Sequence, residues 1–277
     1  MISSTTKTAR AYQYDACGTL EQQLVLRSDV ALPPLSPGQV RIRVQYAAIN
    51  PVDYMLVEDA GASEHLTGRV PSRAQPSGFG FDAAGVVDEV GANVSKFRVG
   101  DEVFAMAAWS GMGTLADFIA VDEQLVAKKP ANLSFELAAG VPLVALTAYQ
   151  ALFDHTKLQK GEKLLILGGS TSCGQIAIQL ARAIGAEVIV TASSRNFELV
   201  KSLGATQVID YTAEKWVDVV EQFSVDVLLN CGVESDSWNT GGQHVLKSNT
   251  GRFVSLLPLD QPVLPAKSGA KLVYPTA

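Results

Sequence analysis

Alternating apolar and polar residues are the clearest pattern in the first half of the chain. In Val40–Tyr46, VRIRVQY, every second side chain is apolar, and this period of two predicts a strand with one buried face. Three further strands are predicted at Gly85–Val90, Glu102–Ala105 and Leu115–Val121. Short strands at this spacing, with turns and few helical patterns between them, are typical of a compact barrel-like β domain.

Beyond Pro130 the pattern changes to strands that alternate with helices. A helix is predicted to begin near Ser134 and to run from Leu137 to Phe153 with an interruption at Pro142. The strands predicted after it are Lys163–Leu167, Glu187–Thr191, Gln207–Asp210, Val225–Asn230 and Arg252–Leu256, and the helices are Gly174–Ala183, Phe197–Leu203 and Lys215–Gln222. Repeated βα winding predicts a doubly wound parallel sheet with helices on both faces. We therefore predict an α/β fold with domains at 1–130 and 131–258, followed by a short tail, 259–277.

Composition and charge narrow the classes of partner. The chain has 277 residues, of which 47% are hydrophobic, enough for two ordinary domains. The net charge of −6 and the lack of a basic cluster argue against nucleic acid. No apolar run approaches the roughly 20 residues of a membrane span. Three widely separated cysteines fit a reducing compartment, so we expect a cytoplasmic protein.

The first ten residues, Met1–Arg10, are polar and lack the apolar core of a secretory signal. A frayed terminus is the favoured interpretation, and a weak organelle transit peptide is the alternative.

The strongest local signal is a loop of small residues between a predicted strand and a predicted helix, LLILGGSTSCG at 164–174. Its backbone N–H groups and the helix N-terminus can approach a pyrophosphate without obstruction by side chains. The spacing departs from G-x-G-x-x-G, but the intervening hydroxyls can donate to phosphate oxygens; a tight turn without a ligand is the alternative. The candidate cofactor-binding residues here are Gly169, Ser170, Thr171, Ser172, Cys173 and Gly174.

The end of the next strand indicates which nucleotide binds. An acid about 20 residues past the glycines would bind the ribose 2′-hydroxyl of NAD. Here the sequence is Thr-Ala-Ser-Ser-Arg at 191–195, and no acid occurs before Glu198. Ser193, Ser194 and the guanidinium of Arg195 suit a 2′-phosphate, which predicts NADPH, although Arg195 could be an ordinary solvated residue.

Several stretches resemble one enzyme family in the expected order and over nearly the whole chain. GEKLLILGGSTSCGQIAIQLAR, at 161–182, resembles the quinone oxidoreductase signature, except that Thr171 and Ser172 replace two glycines, as in enoyl-reductase-type relatives. The others are PGQV (37–40), NPVD (50–53), PSGFGFDAAGVV (76–87), GVPLVALTAYQAL (140–152) and GRFV (251–254). Together they resemble the zinc-free quinone oxidoreductase and enoyl reductase-like branch of the medium-chain dehydrogenase/reductase superfamily.

This resemblance implies an N-terminal GroES-like β-barrel domain, a Rossmann domain, and NADPH-dependent hydride transfer to a quinone. A reductase of α,β-unsaturated carbonyls and a non-catalytic NADPH-binding sensor are the alternatives. Asn50 and Tyr54 are the candidates to contact the acceptor oxygen, although Tyr54 could serve packing instead. Thr147 is expected to position the nicotinamide, and Tyr211 and Asn230 are further cofactor candidates.

The same resemblance implies that no metal is bound. Asn50 stands where the alcohol dehydrogenase branch has a cysteine ligand to catalytic zinc, and Phe81 stands where it has a histidine. A structural zinc site would need closely spaced cysteines, which this sequence lacks.

Relatives in this family continue beyond the Gly-Arg-Phe-Val strand with a longer tail than Leu257–Ala277. Either the gene is short or the chain is a truncated form. We expect Arg252–Leu256 to be the last strand and to leave a sheet edge that a second copy covers, giving a homodimer. The prolines at 258, 262 and 265 could instead cap that edge.

Overall fold

The fold was analysed in a computed structural model, which describes residues 7–107, 112–266 and 268–273. Of the frayed terminus predicted for Met1–Arg10, residues 1–6 lie outside the described residues. Residues 267 and 274–277 of the predicted tail also lie outside them. Contacts within the chain divide it into two compact units, Met1–Leu143 and Val144–Ala277. The two units are described separately.

Two sheets lie in the described part of the first unit, residues 7–107 and 112–143. A five-stranded antiparallel sheet has the order β7-β3-β5-β6-β8, and a three-stranded sheet has the order β2-β1-β4. The strands are β1 Thr8–Tyr14, β2 Val25–Ala31, β3 Gln39–Ala48, β4 Ser77–Gly78, β5 Asp82–Val90, β6 Glu102–Met106, β7 Phe118–Asp122 and β8 Val126–Lys128. The apolar members of the alternating stretches, such as Val40, Ile42 and Val87, form one buried cluster. This partial barrel is the arrangement expected of a GroES-like domain.

The described part of the first unit contains four α-helices, where the sequence pattern predicts few. They are α1 Leu20–Gln23, α2 Pro51–Glu58, α3 Ala60–Thr67 and α4 Phe135–Ala139. The eight-residue helices α2 and α3 are too short to show a helical period. Their boundaries are set locally, since Pro51 occupies the first turn of α2 and the Asp59 carboxylate accepts hydrogen bonds from the N–H groups of Gly61 and Ala62.

The single interrupted helix predicted for Leu137–Phe153 is wrong in detail. The chain forms α4, ends it at Gly140, and begins α5, Pro142–Tyr149, at the proline itself. A π-helical segment, Gln150–His155, follows. Proline starts a helix because its fixed φ angle suits the first turn, where its missing N–H costs no hydrogen bond.

The second unit is built on a six-stranded parallel sheet with the order β11-β10-β9-β12-β13-β14. Its strands are β9 Lys163–Leu167, β10 Glu187–Ala192, β11 Gln207–Asp210, β12 Val227–Asn230, β13 Arg252–Ser255 and β14 Lys271–Val273, and its other helices are α6 Ser172–Ile184, α7 Phe197–Leu203, α8 Trp216–Val219 and α9 Gln243–Val245. Leu164 and Ile166 belong to one buried cluster, whereas Leu165 and Leu167 belong to another. Both faces of the sheet are therefore covered, and the predicted Rossmann-type fold is confirmed.

Two details of this unit differ from the prediction. The helix predicted for Lys215–Gln222 is limited to α8, and Arg252–Leu256 is not the last strand. β14 pairs in parallel with β13, with Phe253 opposite Leu272, and Leu272 packs against the cluster that contains Trp238. A strand of three residues is too short for its alternation to be recognised in a proline-rich sequence.

In the part of the chain that the structure describes, no helix is both long enough and apolar enough to cross a membrane.

Candidate functional site

The small-residue loop joins the end of β9 to the start of α6. Gly168 has a φ of 89°, a left-handed conformation that suits glycine at this tight turn. The hydroxyl of Thr171 donates to the Gly168 carbonyl at 2.8 Å and accepts from the Gly174 N–H at 3.0 Å, which caps α6. The loop therefore presents the N-terminus of a 13-residue helix, a structure that favours phosphate binding.

Close packing explains the last glycine of the loop. A Cβ atom on Gly174 would lie 2.3 Å from the carbonyl oxygen of Gly168, so a side chain there would push the helix away from the strand end. The loop is also tied to β10, because the N–H groups of Gly168 and Gly169 donate to the hydroxyl and the carbonyl of Thr191, each at 2.9 Å. The predicted loop residues are thus brought together in one ordered turn.

The thiols near this loop are not activated. Burial raises the pKa of Cys173 to about 11 and that of Cys231, which follows β12, to about 12. Both side chains are therefore neutral near pH 7, and the contribution of Cys173 to cofactor binding would come from its backbone and its packing.

The predicted 2′-phosphate residues follow β10. Ser193 is half-buried, while Ser194 and Arg195 are exposed in a short 3-10 turn, Ser194–Asn196. In the neighbouring strand Asp210 lies opposite Ala192, and Tyr211, which follows it, is 56% exposed. These residues share the same end of the sheet as the glycine loop, because parallel strands end at one edge.

Asp210 is a residue that the sequence analysis missed. Hydrogen bonds from the hydroxyl and N–H of Thr212, together with the N–H of Ser194, hold the pKa of its carboxyl below the usual range. A search along β10 alone could not find Asp210, because this residue belongs to β11 and reaches the edge from there. The register of the parallel pairing between β10 and β11 would have indicated it.

Asn230, at the end of β12, is buried, and its side-chain amide is hydrogen-bonded to residues of the loop that follows β12. Nδ2 donates to the Glu234 carbonyl at 2.6 Å and to the hydroxyl of Ser237 at 3.1 Å, and Oδ1 accepts from the N–H groups of Gly232 and Val233 at 3.1 Å. The side chain therefore shapes the loop after β12. Thr147, the nicotinamide candidate, is half-buried on α5 in the same unit.

In the first unit, Asn50 lies at the start of α2 in a buried polar cluster. Its Nδ2 donates to Oδ2 of Asp82 at 3.0 Å, and its backbone N–H donates to Oδ2 of Asp53 at 2.5 Å. Asp82 also accepts from the N–H of Leu143, at 3.0 Å from Oδ1 and 3.2 Å from Oδ2. Burial is the main cause that raises the pKa of Asp53 to about 6 and that of Asp82 to about 7.

A cavity of about 60 Å³ adjoins this cluster. Asp53 lines it together with Tyr14, Arg69, Ser77, Phe79 and Phe81. Oδ1 of Asp53 is buried and has no hydrogen-bond partner among the described residues. Tyr54, the second acceptor candidate, is 44% exposed and is not part of the cavity wall.

Histidine, cysteine, aspartate and glutamate are the side chains that bind metal ions most often in proteins. Across residues 7–107, 112–266 and 268–273, no three of them are placed to hold a metal ion.

Comparison with known proteins agrees with this architecture. Residues 36–131 match the family described as the alcohol dehydrogenase GroES-like domain, and residues 173–258 match the family described as zinc-binding dehydrogenase. The quinone oxidoreductase from Coxiella burnetii has a similar structure, with a TM-score of 0.80 and 30% identity over 98% of this chain and 83% of its own.

Two curated relatives have higher sequence identity. The 2-methylene-furan-3-one reductase of Solanum lycopersicum is 38% identical over 78% of this chain and 55% of its own length. The chloroplastic NADPH-dependent alkenal/one oxidoreductase of Arabidopsis thaliana is 36% identical over 80% of this chain and 58% of its own length. The chain thus spans less than two thirds of the curated relatives that it matches. With its two domain types and the glycine loop in place, the chain belongs to the medium-chain dehydrogenase/reductase superfamily, in the zinc-free branch of quinone oxidoreductases and enoyl reductases.

Proposed function

We propose that this protein transfers a hydride from NADPH to a conjugated carbonyl compound without the help of a metal ion. The observation that carries the proposal is the capped loop Gly168–Gly174, which joins a parallel strand to a helix N-terminus at the edge where β10 and β11 also end. Such an edge is where dinucleotides bind in doubly wound folds.

The residues of this edge fit a dinucleotide. The absence of a side chain at Gly174 permits close contact between the helix start and the strand end, and the N–H groups of the first turn of α6 suit a pyrophosphate. Ser193, Ser194 and Arg195 would hold the 2′-phosphate, and Thr147 would position the nicotinamide. When bound, NADPH supplies the hydride, whereas the protein orients the reactants.

The acceptor would be bound by the first unit. The buried cluster of Asn50, Asp53 and Asp82 and the adjoining cavity supply hydrogen-bonding groups against the apolar rings of Phe79 and Phe81. A small pocket with an apolar wall and few polar groups suits a conjugated carbonyl compound.

An α,β-unsaturated aldehyde or ketone is the first candidate for the acceptor, since both curated relatives bear names of that chemistry. A quinone is the second candidate, supported by the name of the Coxiella burnetii structure. A cytoplasmic location stays a prediction, because the Arabidopsis thaliana relative is chloroplastic.

A substrate panel tests the proposal. The purified protein is mixed with NADPH or NADH and with an enal, an enone or a benzoquinone, and the loss of nicotinamide absorbance is followed. With the enal or the enone, NADPH carrying deuterium at the transferred position should give a product labelled at the β-carbon, seen by mass spectrometry. Nucleotide binding without turnover of any acceptor would instead support the sensor.

A further inference from the structure

The carboxyl group of Asp53 is incompletely satisfied inside the first unit. Asp53 is only 2% exposed, and one of its carboxyl oxygens, Oδ2, accepts a hydrogen bond from the backbone N–H of Asn50. The other oxygen, Oδ1, has no partner among the described residues, although Asp53 lines the cavity of about 60 Å³. A buried carboxylate without a partner is costly, which favours either a protonated group or a ligand that supplies the missing contact.

The other polar side chains that line the cavity already have hydrogen-bond partners. Nη2 of Arg69 donates to the hydroxyl of Ser77 at 3.0 Å, and the side chain of Tyr14 is hydrogen-bonded to the same serine. Asp53 therefore differs from its neighbours, because it lines the cavity and one of its buried carboxyl oxygens has no hydrogen-bond partner among the described residues.

Asp82 is buried in the same cluster, but both of its carboxyl oxygens have hydrogen-bond partners. Its two oxygens accept hydrogen bonds from Asn50 and from the backbone N–H of Leu143. It thus serves to orient Asn50, and it does not offer a free oxygen to the cavity.

Building on the proposed function, we propose that protonated Asp53 is the proton donor of the reaction, giving the proton on Oδ1 to the carbonyl oxygen of the acceptor. The β-carbon of an enone accepts the hydride with its electron pair. The π electrons of the C=C bond then form a double bond between the α-carbon and the carbonyl carbon. The C=O electrons move to oxygen, which takes the proton from Asp53. The resulting enol tautomerises to the saturated carbonyl compound, and solvent returns a proton to the carboxylate.

The protonation state of Asp53 is compatible with this role. Burial raises its pKa to about 6, and a general acid is most effective when its pKa lies near the working pH. The titratable and charged groups around it are Tyr14 on β1, Cys17 after β1, Asp82 on β5 and Arg69 after α3, while Glu21 on α1 and Glu64 and His65 on α3 are exposed.

The variant Asp53→Asn tests the assignment. The amide keeps the size of the side chain and an oxygen for the Asn50 N–H, but it cannot release a proton. We expect kcat for enone reduction to fall on the order of 100-fold, with less than a threefold change in acceptor KM and in NADPH affinity. Asp59→Asn, at the exposed cap of α3, is the matched control and should retain the wild-type rate.

The pH dependence separates proton donation from a structural role. In the wild type, kcat should fall as pH rises above the pKa of Asp53 and should show a solvent deuterium isotope effect. Both features should be absent in Asp53→Asn but present in Asp82→Asn, even if that variant is slower. A wild-type kcat that is constant from pH 5 to 8 would overturn the proposal without any variant.

A direct titration needs neither cofactor nor turnover. In the protein alone, ¹³C NMR of labelled aspartate carboxyls should show two groups with raised pKa values, one for Asp53 near 6 and one for Asp82 near 7. The group near 6 should be lost in Asp53→Asn. Absence of that group overturns the proposal. If no acceptor is reduced by the wild type, the proposed function fails and this inference with it, whereas a fully active Asp53→Asn refutes the inference alone.

Discussion

At the residue scale, two side chains of opposite charge lie at the ends of neighbouring strands in the second unit. Arg195 follows β10 and is exposed, whereas Asp210 ends β11 and accepts hydrogen bonds from Thr212 and Ser194. A guanidinium can hold a 2′-phosphate, and a carboxylate suits a 2′-hydroxyl. Because the Asp210 carboxylate already has local donors and Arg195 is exposed, we infer a preference for NADPH.

The variant Arg195→Ala tests this preference. Loss of a charged hydrogen bond to phosphate is worth about 1.5–3 kcal/mol, so NADPH affinity should fall by roughly tenfold or more while NADH affinity changes little. Titration of nicotinamide fluorescence with each nucleotide measures both. Arg98→Ala, which removes an exposed arginine of the first unit, is the control. Equal affinity of the wild-type protein for the two nucleotides would contradict the prediction.

Residue identity alone predicts only part of this chemistry. Asn50 and the loop glycines can be recognised because their spacing and neighbours are characteristic. The raised pKa values of Asp53 and Asp82 cannot be recognised in this way, because they depend on burial in the folded protein. Asp210 was missed for a similar reason, since its neighbour Ser194 is distant in sequence.

At the scale of elements, β9, the loop that follows it and α6 form one continuous strand–loop–helix structure. Thr171 caps the helix, Thr191 anchors the loop to β10, and Gly174 allows the helix to start directly against the strand end. The phosphate site therefore depends on backbone packing more than on any one side chain.

Gly174→Ala should damage this site. The added Cβ would meet the Gly168 carbonyl oxygen at 2.3 Å, so the loop must move, and we expect a lower melting temperature and at least a tenfold loss of NADPH affinity. Calorimetric titration and thermal unfolding measure the two effects. Gly38→Ala is the matched control, because a Cβ there meets nothing within 4 Å. Unchanged NADPH binding by Gly174→Ala would show that the helix start is not the phosphate site.

Element prediction succeeds where the pattern is long. The alternation in β3 and the apolar runs of β9 and β10 identify those strands within a few residues, and α6 ends at Gly185 in a left-handed conformation. The eight-residue helices α2 and α3 and the three-residue β14 fail because they contain too few residues for a period. Their formation depends on capping and on tertiary packing.

At the scale of the whole molecule, independence from metal is a testable property. The family resemblance implies that Asn50 and Phe81 occupy the positions at which a zinc-dependent relative would have cysteine and histidine, and neither an amide nor a phenyl ring is a usual zinc ligand. Prolonged chelation should leave the rate unchanged, and elemental analysis should find no stoichiometric zinc. Because one matching family is described as a zinc-binding dehydrogenase, a metal lost together with activity would refute this prediction.

The edge of the parallel sheet also bears on assembly. β14 covers β13, so the edge that we expected at Arg252–Leu256 is not free. Among the described residues β14 is the strand at this edge of the sheet, and Leu272 and Val273 are only partly buried. A strand at an edge keeps unpaired N–H and C=O groups that another strand can use.

We therefore still predict a homodimer, now with β14 as the strand that would pair across the twofold axis. Its shortness argues against this arrangement, since three residues offer few hydrogen bonds, and so the association should be weak and dependent on concentration. Sedimentation from low to high micromolar concentration should show a shift from the 29.4 kDa monomer towards twice that mass. A single species of monomer mass at every concentration would mean that β14 protects the sheet rather than extending it.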